Sequence, residues 1–319
     1  MARQDRFNPA WWMRNGHVQS CLAVVVGGPK DLDWQEEEIT LPDGDFIDVV
    51  WHGPEDGPLI VMLHGLEGCV TSHYMLTNIQ VLAAQGWRVC GMNFRSCSGR
   101  LNRMPYCYHA GETGDLSFLI NLLHDRYPKR HISALGFSMG GNMLLKYLHE
   151  YPDTVLSSAV AVSVPFEIDT SLDHLAPFYA WRFLRTMKQK SIEKIENGLE
   201  LPISAEQVKA ITCFMEFDTL LTAPLNGFKD AQDYYLSSSS RYLLHDIETP
   251  VLIMHALDDP FIPSCCVPQY HELSRSITLE ISESGGHLGF IQSNKLWSQE
   301  SWLARRIPEY LRPYCFRSR

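Results

Sequence analysis

What this chain lacks narrows its reading before any motif is considered. Its 319 residues hold no unbroken apolar stretch of the ~18 residues that a membrane-spanning helix needs. Nine cysteines occur, none in C-x-x-C spacing, and there is no N-x-S/T sequon. His149-Glu150 and His271-Glu272 begin like H-E-x-x-H, but neither continues to a second histidine, so no metal site is expected. The N-terminus lacks the pattern of a secretory leader. Its apolar run Cys21–Val26 is too short, and arginines and an asparagine interrupt what precedes it. An odd set of thiols without an export signal fits a reducing compartment, so the expected location is cytoplasmic. Positive charge is in the minority, with 27 Lys and Arg against 37 Asp and Glu and a net charge of -10. That balance argues against a broad phosphate-binding surface, and no nucleic-acid partner is expected. Trp11 and Trp12 could touch a membrane interface, but packing under the first turn of the domain is the simpler reading.

What is present is the composition of an ordinary globular chain, 45% hydrophobic and 20% charged, long enough to bury a large core. Near the start, WQEEEITLPDGDFIDVVWHG reads as a hairpin, because two partly alternating runs flank an Asp-Gly turn. The pattern then changes to short continuous apolar runs alternating with helix-compatible segments. PLIVMLHG, WRVCGMNF, HISALGFS, VLSSAVAVSVP, PVLIMHA and SITLEIS are the runs. Helices are expected near 72–85, near 112–127, from Met139, and near 299–311. Buried strands separated by helices predict a mostly parallel sheet flanked by helices, with the antiparallel hairpin at one edge. Residues 166–249 differ, being rich in helix formers and aromatics without a convincing strand. Because they follow the C-terminal end of a parallel strand, they are expected to form an inserted helical lid over the ligand-binding edge. A helical appendage packed elsewhere is the alternative. Residues 1–165 and 250–319 then make up the main domain.

The sharpest chemical signal is Gly136-Phe137-Ser138-Met139-Gly140, which follows an apolar run and opens a helix. In that context G-x-S-x-G is a nucleophile elbow, a strained turn that lifts the serine hydroxyl above the sheet. Gly136 and Gly140 are needed because side chains there would strike neighbouring backbone. His64-Gly65-Leu66-Glu67-Gly68 ends an earlier strand, where an oxyanion-hole loop belongs, and the N–H groups of Leu66 and Met139 are the expected donors. His64 precedes the serine, so it is read as shaping this loop rather than as a base. ALDDPFIP follows a late strand and supplies an acid. ESGGHLGF follows the last strand and supplies His287 in a glycine-rich loop. The order Ser138, Asp259, His287 is the one that α/β-hydrolases use. Of the adjacent acids, Asp259 is favoured because Pro260 holds it extended and Pro263 stands four residues on, leaving Asp258 to face solvent or cap loop N–H groups.

HGLEG, NFRSCSG, NRMPYCYHAGET, GFSMGGN, EFDTLLTAPLNGF, HALDDPFIP and ESGGHLGFI together resemble the YheT-like branch of the α/β-hydrolases, and NGHVQS and LPDGDFIDVVW match as well. The likeness runs from about Asn15 to the last helix. It implies the α/β-hydrolase fold, a carboxylesterase activity, and a triad of Ser138, Asp259 and His287 with no cofactor. Ser96 stands where that group usually has glycine, and it is expected to alter the shape of the site's border. The expected substrate is a small ester, with an apolar acyl group suggested by the lid's composition. An acyltransferase could use the same residues with an alcohol as acceptor. A non-catalytic binding protein of this fold would be expected to have lost part of the triad. Dinucleotide binding is disfavoured because GFSMGG lacks the G-x-G-x-x-G spacing.

Overall fold

The computed structural model describes residues 7–26, 29, 32–292 and 300–316. Eight strands form one sheet: β1 (Gln35–Thr40), β2 (Phe46–His52), β3 (Leu59–Leu63), β4 (Arg88–Asn93), β5 (Ile132–Phe137), β6 (Leu156–Val162), β7 (Val251–Ala256) and β8 (Ile277–Ser282). Their order is β1-β2-β4-β3-β5-β6-β7-β8. The two pairings that involve β2 are antiparallel, and every other pairing is parallel. The hairpin thus closes one edge of an α/β-hydrolase sheet, as its Asp-Gly turn predicts. Gly44 sits at φ 85°, the left-handed conformation that this turn demands.

The helices are α1 (Gly16–Val26), α2 (His73–Ala84), α3 (Gly114–Arg126), α4 (Met139–Glu150), α5 (Ile168–His174), α6 (Pro177–Glu196), α7 (Ala205–Ala210), α8 (Phe214–Phe217), α9 (Ala223–Leu225), α10 (Ala231–Ser238) and α11 (Trp302–Cys315). A π-helical turn, Asp218–Thr222, joins α8 to α9. α11 runs a few residues beyond its expected end and tolerates Pro308 and Pro313. Alternate residues of the central strands feed two cores. Val61, Leu63 and Met92 pack toward α3 and α4, whereas Ile60, Met62 and Val89 pack toward α2 and α11. β3 and β5 are buried at every position, which is why they read as continuous apolar runs.

Between β6 and β7 the chain is helical throughout. Leu184, Val208, Ile211, Phe217 and Leu221 give this insertion a small core of its own. Its last part is different, since Tyr234, Tyr235, Leu244 and Ile247 join the main core beside α4. Asn142 ties that junction together. Its amide donates to Ala110 O (2.9 Å) and Ser238 O (2.7 Å) and accepts from Ser240 N–H (3.0 Å). At the N-terminus Trp12 packs against Ala10, Met13 and Ile291, while Trp11 is exposed. Among the described residues no helix is long and apolar enough to cross a membrane.

A buried ionic hub connects the hairpin to the loop after β4. Arg95 spans Asp43 (2.6 Å), Asp45 (3.0 Å) and Asp115 (2.6 Å), and Asp45 also accepts from Asn102 Nδ2 (2.6 Å) and Arg103 N–H (2.8 Å). Ser96 belongs to this network. Its hydroxyl donates to Asn102 Oδ1 (2.6 Å), and it lines neither of the two cavities described below, so its effect falls on the loop's anchorage rather than on pocket shape. Its backbone lies at φ 62°, where glycine would be free of strain. Arg95→Ala would leave Asp43, Asp45 and Asp115 without the cation they share and strand their charge, so it is expected to lower stability by about 3–5 kcal/mol. Urea unfolding checks this, and a loss under about 1 kcal/mol, the size of a surface pair, would contradict it.

Candidate active site

Four loops at the C-terminal ends of parallel strands bring the site together. Register places Leu63 of β3 beside Gly136 of β5, so the loop that follows β3 lies against the turn that follows β5. Ser138 occupies that turn at φ 53° and ψ -123°, and its N–H is held by Val162 O (2.8 Å). The flanking glycines explain the geometry. A methyl group on Gly136 would lie 2.4 Å from Gly140 O, and one on Gly140 would lie 2.4 Å from His64 O. Strand, strained serine and helix can approach this closely only because both positions are bare.

His287, after β8, reaches Ser138 Oγ through Nε2 (3.0 Å) and Asp259 Oδ2 through Nδ1 (2.8 Å). Asp259, after β7, is buried, and its other oxygen accepts from the N–H groups of Phe261 (2.8 Å) and Ile262 (3.3 Å). One oxygen of the carboxylate is therefore fixed by backbone, which aims the other at the imidazole. Asp258 points away and accepts from Gly286 N–H (2.8 Å), capping the loop that carries His287. Phe261 stacks on the imidazole at 4.3 Å and 13°, and Tyr179 and Phe183 of α6 pack on Phe261 in turn. The insertion thus stands beside the histidine.

The HGLEG loop is held by side chains that no motif reading singled out. Tyr74 OH accepts from Gly65 N–H (2.9 Å), and a methyl group on Gly65 would lie 3.0 Å from Ser138 Cβ. Glu67 adopts φ 51°, with its N–H donated to Tyr108 OH (2.9 Å) and its carboxylate accepting from that same hydroxyl (2.7 Å). Lys190 of α6 closes the clasp on Glu67 at 2.8 Å. Next to it, Lys194 donates to the carbonyls of Met104, Pro105 and Tyr106 at 2.8–3.1 Å. Among the described residues, the N–H groups of Leu66 and Met139 have no acceptor within the protein. Both residues line one cavity of about 70 Å³, whose walls include Met187, Leu201, Phe217 and Leu221 of the insertion. A larger groove, about 1110 Å³, lies within the insertion and involves none of the residues around Ser138.

His64 is buried and has both ring nitrogens engaged. Nε2 accepts from Phe94 N–H (3.1 Å), which leaves the proton on Nδ1 to donate to Gly65 O (2.7 Å). Burial pushes its pKa down to about 3. It shapes the loop and has no lone pair free to act as a base.

Comparison with known proteins follows the same line. A family profile described as alpha/beta hydrolase fold matches residues 58–293. YheT of Escherichia coli strain K12, a candidate esterase by its name, is 35% identical over 97% of this chain and 93% of its own. Phospholipase ABHD3 of Bos taurus is 27% identical over 95% of this chain and 77% of its own. The solved structure of the Pyrococcus furiosus esterase Pf2001 matches with a TM-score of 0.59 at 17% identity, covering 91% of this chain and 100% of that one, a likeness of fold.

Around the site sit further histidines that stay neutral when folded. Burial lowers His73, His109 and His255 to about 4, alongside His64 at about 3. From the ordinary value of 6.5 downward, the unfolded chain binds protons at these four positions that the folded chain refuses, so stability falls as pH falls. Burial also raises Asp115 and Asp258, and Asp218 to about 6, which acts in the opposite sense over fewer groups. The urea midpoint is therefore expected to drop between pH 7 and pH 5, and His109→Asn should flatten that slope. A midpoint independent of pH across this range would contradict the assignment.

Proposed function

The chain belongs to the α/β-hydrolase family, within its YheT-like branch, and from that premise we propose that it is a serine esterase. Ser138 is the nucleophile, His287 the base, Asp259 the residue that orients the base, and the N–H groups of Leu66 and Met139 form the oxyanion hole. The observation that carries this reading is the unbroken chain Asp259–His287–Ser138, at 2.8 and 3.0 Å, on a serine held at φ 53°.

Ser138 Oγ attacks the ester carbonyl while His287 Nε2 takes its proton. Asp259 holds the Nδ1–H tautomer and stabilises the imidazolium. The carbonyl oxygen becomes negative between Leu66 N–H and Met139 N–H, at the N-terminus of α4, where the helix dipole favours negative charge. Each such donor contributes roughly 2.7–4 kcal/mol to the transition state. The imidazolium returns its proton to the departing alkoxide, and the acyl group remains esterified to Ser138. Water then attacks with His287 again as base, releasing the carboxylic acid and regenerating the serine hydroxyl.

The acyl group lies in the cavity that starts at Leu66 and Met139 and runs between Met187, Leu201, Phe217 and Leu221. Those walls suit an apolar acyl chain. Residues 166–249 are the lid of this site. The support is the pair of contacts that α6 makes there, aromatic packing on Phe261 beside His287 and the Lys190 clasp on Glu67.

Purified protein is expected to hydrolyse p-nitrophenyl esters and to react with a fluorophosphonate at Ser138. Ser138→Ala should lose both, with kcat down on the order of 10⁶-fold, and undiminished labelling of that variant would overturn the assignment. Asp259→Asn should cost up to about 10⁴-fold in kcat because an amide cannot hold the required tautomer. Asp258→Asn should cost far less, and a reversed ranking would make Asp258 the triad acid. Leu221→Ala should move the preferred acyl chain longer by roughly one to three carbons, the side-chain length removed. An unaltered chain-length profile would place the acyl group elsewhere.

A further inference from the structure

One motif has no role in the mechanism so far: NGHVQS, at the start of α1, which lies before the residues matched by the hydrolase profile. It packs against the loop that carries His287. That loop is conformationally costly, with Gly286, Leu288 and Phe290 all in the left-handed region at φ 59°, 63° and 44°. Left-handed backbone at Leu288 and Phe290 is unfavourable by itself and persists only where surrounding contacts impose it.

Ser163 Oγ accepts from Leu288 N–H (3.4 Å) and Phe290 O from Trp302 N–H (2.9 Å), and the residues on either side of that pair are held by α1. The backbone N–H of His287 donates to Ser20 Oγ (2.7 Å), and that hydroxyl donates to Gly16 O (2.7 Å), which fixes its rotamer and turns a lone pair toward the loop. Gln19 Oε1 accepts from Ile291 N–H (2.8 Å), while its Nε2 donates to Met13 O (2.7 Å) and Ile291 O (3.3 Å). Gln19 is fully buried and Ser20 is 7% exposed, so water does not replace either easily. The approach is as close as backbone permits. A methyl group on Gly286 would lie 2.4 Å from Gly16 O, and one on Gly289 would lie 2.7 Å from Gln19 O. Gly16 also meets the loop that carries Asp259, since a methyl group there would overlap Asp258 O.

We propose that α1 is a positioning element for the base, in which Ser20, supported by Gln19, sets the register of His287 so that its Nε2 meets Ser138. The inference rests on His287 being the base. Ser20 touches no substrate and acts through the histidine it holds. Without an acceptor for its buried N–H, the His287 peptide turns to find one, and the imidazole moves with it. A displacement near 1 Å in a reacting geometry costs on the order of 10²-fold in rate.

The test uses the full chain and a short p-nitrophenyl ester, with kcat and KM measured for Ser20→Ala, Ser20→Thr and Ser20→Val. Ser20→Ala is expected to lower kcat about 10–100-fold with KM within about twofold, as lost alignment of the base predicts. Thr and Val share a shape and differ in the hydroxyl, so Ser20→Thr should recover most of the loss and Ser20→Val should not. This pair keeps the inference testable if Ser20→Ala folds poorly. In a His287→Ala background, Ser20→Ala should change the residual rate little, whereas a general structural effect would persist there. Equal kcat for Thr and Val, or a full Ser20→Ala effect without His287, overturns the positioning role. An active His287→Ala enzyme would instead overturn the assignment of the base.

Discussion

The left-handed backbone at Ser138 is the constraint around which the rest of the structure is arranged. A serine at φ 53° can exist there only if the strand before it and the helix after it come closer than side chains allow. That requirement removes the side chains of Gly136 and Gly140, brings α4 onto the end of β3, and leaves Gly65 within van der Waals reach of the serine. The parallel register of β3 and β5 then does the remaining alignment, because Leu63 beside Gly136 makes the next loop the wall of the turn. The geometry of the site and that of the sheet are one problem here. A shift of one residue in that pairing would turn the strand's two faces around and remove the site with them.

Loops at the end of such a sheet have no ladder of their own, and this chain holds them with buried polar side chains. Asp45 and Arg95 anchor the loop after β4, and that loop presents Tyr108 to Glu67. Asn142 anchors the end of the insertion, Asp258 and Ser20 hold the loop that carries the histidine, and Asp259 is fixed by two backbone N–H groups. Asp45, Asn142 and Ser20 are each satisfied on more than one side, which makes the arrangement specific as well as stable. Motifs such as LPDGDF, GGN and NGHVQS, which carry no chemistry by inspection, are accounted for as the anchors of those loops.

Much of this was legible in the sequence, for reasons that are physical. Strands buried on both faces must be continuous apolar runs, and β3, β5 and β7 are. An Asp-Gly between alternating runs must turn, and Gly44 does. The serine, aspartate and histidine that chain order and glycine spacing singled out meet in space because each directly follows a strand whose place in the sheet is fixed. The supporting residues were not legible. Ser20 bonds to a residue 267 positions away, and Phe261 stacks on a histidine supplied by another loop. A serine in a helix or a phenylalanine after a proline has many uses, and only tertiary contact selects one. Ser96 illustrates the converse. Its departure from glycine was visible, yet its consequence lies in a hydrogen bond to Asn102 rather than in the cavity.

Lys194 bears on how the insertion is held. Its ammonium, 1% exposed, is held by three consecutive carbonyls of the loop after β4, one helical turn from the Lys190 clasp. These two cations sit on a helix that also packs Tyr179 and Phe183 on Phe261 and gives Leu184 to the insertion's own apolar core. Both lysines hold the same helix, so the insertion is fixed at two neighbouring points. Hydrogen bonds to a charged group contribute about 1.5–3 kcal/mol each, so these contacts hold α6 firmly. Charge on α6 thus joins the insertion to the loop after β4 and to the HGLEG loop.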